Sequence, residues 1–88
     1  MNNDWLKIVT HFGLDEQIKH WFTEVYELVQ AIERDDGGIV SRSEIVSELA
    51  DNFNFLKQIQ VFHGISDKEI EEVQKFKNER TLKEVNRD

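Results

Sequence analysis

The chain has no cysteine, no proline and only four glycines among its 88 residues. Without cysteine there is neither a disulfide framework nor thiolate chemistry, which fits a reducing compartment. Without proline no helix is broken from within. The glycines, Gly13, Gly37, Gly38 and Gly64, fall between long uninterrupted segments. No apolar run approaches the ~20 residues of a membrane span. The opening residues, MNNDWLKIV, lack the basic and then apolar order of a secretory signal, so a cytoplasmic place is expected, with no membrane partner. Positive charge is also scarce, with 11 Lys and Arg against 18 Asp and Glu and a net charge of −7. A sequence-independent grip on phosphates needs Lys and Arg, so nucleic acid is excluded as a partner on charge. The length fits a single domain over residues 1–88. A chain this short buries only ~60% of its unfolded surface, which makes self-association an expectation.

What is present is helical patterning. A short helix is expected at Asp4–His11, capped by Asn3 or Asp4 and ended by Gly13. Trp5 is expected to pack it onto the rest. A second helix runs over Asp15–Glu33, its apolar side marked by Ile18, Trp21, Phe22, Val25, Leu28, Val29 and Ile32. Residues 34–38, Arg-Asp-Asp-Gly-Gly, read as a turn. Ser41 and Glu44 have capping-box spacing and open a third helix over Ser43–His63, with Ile45, Leu49, Phe53, Leu56 and Ile59 on its apolar side. Gly64 ends it. Ser66 and Glu69 repeat the box before a fourth helix over Asp67–Val85, with Ile70, Val73 and Phe76 expected to face inward. The fold class is therefore all-α, a small antiparallel bundle of four helices, completed by oligomerisation.

Within this frame the acids are not scattered evenly. Glu24 and Glu27 lie three apart on the second helix, and Glu48 and Asp51 lie three apart on the third. Like charges at that spacing repel by a few tenths of a kcal/mol. Two such pairs, each beside an apolar stripe on helices that pack antiparallel, invite a hard divalent cation with oxygen ligands. With 18 acids in the chain such pairs also arise by chance. Glu69, Glu71 and Glu72 read as an ordinary solvated face.

The words around these acids carry more. Residues 13–32 read GLDEQIKHWFTEVYELVQAI and residues 44–59 read EIVSELADNFNFLKQI. This resembles the MazG-like nucleoside triphosphate pyrophosphohydrolases, an all-α superfamily marked by Glu-x-x-Glu, a variable spacer, then Glu-x-x-Asp. Here Glu24-Val25-Tyr26-Glu27 is followed, after twenty residues, by Glu48-Leu49-Ala50-Asp51. Gln17 stands seven residues before the first motif glutamate, as in small phage-type and clostridial members, and Lys77-Asn78-Glu79-Arg80-Thr81-Leu82 is similar to their closing segment. Three positions depart from the pattern. Thr23 and Ser47 precede the two motifs where acids are common, and Asn52 follows Asp51 where many members carry an aliphatic residue.

The resemblance implies hydrolysis of a nucleoside or deoxynucleoside triphosphate to the monophosphate and pyrophosphate, in nucleotide-pool house-cleaning. Mg²⁺, or Mn²⁺ in its place, would be held by Glu24, Glu27, Glu48 and Asp51. Glu24 or Glu27 would activate the attacking water. Lys77 and Arg80 would clamp phosphate, and Gln17 and His20 would contact substrate. Trp21, Phe22, Tyr26 and Phe55 could stack on a base, although core packing is the commoner fate of Trp21 and Phe22. His20 and Asn54 could hydrogen-bond a base, whereas His11 and His63 sit at helix ends with no catalytic part. The resemblance also implies a homodimer or a dimer of dimers whose site is completed across subunits. Two other readings stay open: a catalytically weak nucleotide- or metal-binding regulatory protein of the same fold, suggested by Thr23 and Ser47, and an acidic helical interaction module.

Overall fold

Gly13 ends one helix and begins the next with no residue to spare. The structure, a computed structural model, describes residues 4–34 and 41–87. These form four helices and, among the described residues, no strand: α1 (Asp4–Phe12), α2 (Leu14–Arg34), α3 (Arg42–Phe62) and α4 (Asp67–Val85). The expected ends hold within a residue or so. The expected cap Asn3 and most of the turn at 34–38 lie outside the described residues.

Glycine does its work at two positions. At φ 92° Gly13 turns the chain so that its N–H donates to the Val9 carbonyl at 2.9 Å while its own carbonyl accepts from Gln17 at 3.1 Å. At φ 67° Gly64 closes α3, with its N–H on the Val61 carbonyl at 3.1 Å and the Ile65 N–H on the Gln60 carbonyl at 3.1 Å, which satisfies carbonyls a helix end leaves open. Ser66 then caps α4 through a full capping box with Glu69. Ser41 caps α3 by accepting from the Glu44 N–H at 3.3 Å, but only half of the expected box forms. The Glu44 carboxylate is taken instead by Arg34, 2.9 Å away at the end of α2.

Side-chain bonds fix how α2 lies on α3. Gln17 reaches Gln58, Trp21 reaches Asn52, and Arg34 reaches Glu44, so rising numbers on one helix meet falling numbers on the other. The pair is antiparallel. α1 closes over α3 through Trp5, whose indole N–H donates to Asn54 Oδ1 at 3.1 Å and whose ring lies 5.7 Å from the Lys57 ammonium. Trp5 thus does pack the first helix, and Asn54 is committed to it.

The fully buried set is small and unusually polar. Val9 and Ala31 are its apolar members, and Gln17, Asn52 and Gln58 its polar ones, among the described residues. Ile18, Trp21, Val25 and Leu28 of α2 and Ile45, Phe55 and Ile59 of α3 are half-buried. The rest of the expected stripes stay open: Phe22, Val29 and Ile32 on α2, and Leu49, Phe53 and Leu56 on α3, are exposed. Phe22 stacks against Trp21, the rings 20° from parallel with centroids 6.2 Å apart. The two helices meet along a seam narrower than their apolar faces.

α4 departs most from expectation. Its backbone makes no close approach to the other three helices among the described residues, although side chains at its start reach α3. Ile70 is half-buried, but Val73 and Phe76 do not face inward, and Phe76 is 64% exposed. At the corner Asp67 takes the Lys57 ammonium at 2.5 Å and the Gln60 amide at 2.7 Å, which ties the start of α4 to the end of α3. The radius of gyration is 16.2 Å, against about 12 Å for a compact chain of this length.

Candidate metal centre

α2 presents Glu24 and Glu27 toward α3, and α3 presents Glu48 back. One carboxylate oxygen from each of the three lies within 4.8 Å of the others. Two of the three acids share a helix and the third crosses the seam, so the cluster exists only because the helices are docked in this register.

Its electrostatics are unfavourable as they stand. Glu24 Oε2 and Glu48 Oε2 are both buried and without a hydrogen-bond partner. A buried acceptor left unpaired is uncommon in folded proteins and costs free energy. Desolvation, with the neighbouring charges of Glu27, Asp51 and Glu48 and a carboxyl contact with Glu27, pushes Glu24 from 4.5 up to about 7. Desolvation and the charges of Glu27, Asp51 and Glu44 also raise Glu48, against a smaller opposing pull from Arg34. Burial and mutual repulsion thus both favour a proton, or some other positive charge, at this point.

Asp51, the fourth expected ligand, stands outside the three-oxygen group yet close enough to act on both Glu24 and Glu48. Gln17 lies within the α2–α3 seam with its amide donating to Gln58 Oε1 at 2.8 Å, and is not turned to solvent. His20 is exposed one turn before the cluster. Lys77 and Arg80 are exposed on α4, away from the acids of the same chain, and the Arg80 guanidinium rests 6.0 Å over the Phe76 ring. Tyr26 is exposed and Phe55 half-buried. His63 Nδ1 pairs with the Ile59 carbonyl at 2.8 Å.

One residue of the site was legible only as an oddity. Asn52, buried at 7% exposure, donates its amide N–H groups to the Glu24 carbonyl at 3.2 Å and the Glu48 carbonyl at 2.9 Å, and its Oδ1 accepts from the Trp21 indole N–H at 3.1 Å. Its place four residues after Glu48 put it on the same helical row, which was the available signal. The chain matches no protein-family model, no curated protein and no solved structure.

Proposed function

We propose that this chain is a Mg²⁺-dependent nucleoside triphosphate pyrophosphohydrolase built on the Glu24, Glu27 and Glu48 cluster. The observation that carries the reading is the pair of buried, partnerless oxygens, Glu24 Oε2 and Glu48 Oε2, on two residues that bring a carboxylate oxygen within 4.8 Å of each other and of Glu27. Hard oxygen donors, few in number and all anionic, suit Mg²⁺ or Mn²⁺ and leave coordination positions for water and phosphate. The motif resemblance, Glu-x-x-Glu then Glu-x-x-Asp, supplies the reaction class.

In this reading Glu24, Glu27 and Glu48 hold the ion, and Asp51 adds negative charge beside them. Mg²⁺ held by these residues would supply positive charge against that developing on the transferred group. Glu24 and Glu27 are the two candidates for accepting the proton of the attacking water. Lys77 and Arg80 stand on α4, whose backbone makes no close approach to α2 or α3 among the described residues, so in this reading α4 of a neighbouring copy supplies their phosphate contact. Exposed surface supports such an assembly. The chain exposes 7174 Å², against about 5,400 Å² for a compact monomer of its mass. The excess is of the size a subunit interface covers.

The same separation of Lys77 and Arg80 from the acids favours the second reading, a metal- and nucleotide-binding protein with little turnover. One assay separates them: Mg²⁺ with a panel of NTPs and dNTPs, scored for pyrophosphate release. Release by the wild type and not by Glu48→Gln is expected. Stabilisation by Mg²⁺ and nucleotide without any product would establish the binding-only reading instead.

A further inference from the structure

We infer that Asn52 is a positioning residue: it pins the axial register of α2 against α3 and thereby assembles the carboxylate cluster. Both amide protons of Asn52 end on backbone carbonyls of motif residues, Glu24 on the facing helix and Glu48 on its own, while its oxygen accepts from Trp21. Three of the side chain's four hydrogen-bonding positions are therefore spent on one small region. Glu24 and Glu48 are also the residues that carry the partnerless oxygens. The pin and the cluster share the same two residues.

Register needs such a device here because apolar packing supplies so little of it. Among the described residues only Val9 and Ala31 are fully buried apolar side chains. A seam of half-buried residues tolerates slippage, and a buried polar group that can be satisfied in one alignment alone selects that alignment. The tolerance of the cluster is small. A slip of one helical turn moves a side chain by about 5.4 Å, more than the 4.8 Å within which the three oxygens lie.

A second buried amide tie, Gln17 to Gln58, spans the same seam without touching either motif. It provides the contrast. Asn52→Leu keeps the seam apolar and orphans no carbonyl, because the Glu24 and Glu48 carbonyls already accept within their helices. It does leave the half-buried Trp21 indole N–H without its acceptor. It should keep its helical content and melt below the wild type. Gln58→Leu strands the Gln17 amide and should melt lower too. Divalent affinity separates the two, about tenfold or more weaker in Asn52→Leu and unchanged in Gln58→Leu. This metal comparison rests on the proposed cation site.

The register itself can be read without any metal. The chain has no cysteine, so Thr23→Cys and Ser47→Cys, exposed positions beside Glu24 and Glu48, accept a clean spin-label pair. With labelled chain diluted into unlabelled chain, pulsed electron–electron resonance should give one narrow distance in the wild type and in Gln58→Leu. Asn52→Leu should broaden it or shift it by up to about 5 Å, one helical step along the seam. Asn52→Ala serves the same comparison if the larger side chain costs the fold. A distance distribution unchanged by loss of Asn52 overturns the inference, whatever the metal does. A wild type that binds no Mg²⁺ or Mn²⁺ but shows the register shift sinks the cation site and leaves the pin standing.

Discussion

At Glu24 a proton and a divalent cation compete for the same oxygen. The group titrates near 7 in the folded, metal-free chain and near 4.5 when unfolded. Because the folded value is the higher one, its protonation stabilises the fold fully below pH 4.5, and that contribution disappears as the pH rises through about 7. Glu48 is shifted in the same direction. Asp67, lowered by the Gln60 and Lys57 side chains, and Glu69, lowered by the Ser66 N–H and hydroxyl, act oppositely, but only at more acid pH than their ordinary 3.8 and 4.5. The melting temperature in EDTA is therefore expected to fall between pH 4.5 and about 7, and saturating Mg²⁺ should remove that fall. A flat EDTA profile across this window would count against the buried pair. Glu48→Gln removes one of the repelling charges, so it should raise the metal-free melting temperature while abolishing the Mg²⁺ effect. Spacing made the acids visible in the sequence. It could not show that two of their oxygens are sealed from water, since that depends on the seam tied by Asn52, Gln17 and Gln58.

Helix ends were the most legible elements. Gly13, Gly64 and the Ser66–Glu69 box mark their boundaries by local backbone chemistry alone, and the structure uses all three. Gly64 gives a clean test, because an added Cβ there meets nothing within 4 Å and the cost is backbone strain alone. Gly64→Ala should lose ~1 kcal/mol in urea titration. No loss would mean that the α3–α4 corner is not held at positive φ. Helix partners were far less legible. Periodicity identifies an apolar side but not whether another part of the same chain covers it. Val73 and Phe76 looked inward by spacing, yet both are exposed, whereas Ile70, nearer the Lys57–Gln60–Asp67 corner, is half-buried. Phe22, Phe53 and Leu56 failed in the same way, as flanks of stripes wider than the seam they serve.

The whole chain exposes more surface than a compact monomer of its size would. Beyond its ties to α3 through Asp67, its fourth helix leaves Val73, Phe76, Leu82 and Val85 exposed, and helices of this length with little packing are marginal in water. Light scattering after size exclusion should accordingly give a multiple of 10.5 kDa, and a stable monomer at micromolar concentration would contradict it. Phe76→Asp, on the exposed face of α4, should shift the population toward monomer if that helix is covered in the assembly. The acidic excess also takes its meaning at this scale. Five of the six basic residues after Asp67, namely Lys75, Lys77, Arg80, Lys83 and Arg87, follow Val73 on α4 or just beyond it, while the cluster sits on α2 and α3. The account stands or falls on whether those carboxylates bind a cation. Calorimetric titration of the metal-free protein with Mg²⁺ and Mn²⁺ tests this most directly. Saturable binding is expected, with more protons released below pH 7 than above it and none of it surviving in Glu48→Gln. No binding, or binding that Glu48→Gln leaves intact, would contradict the account.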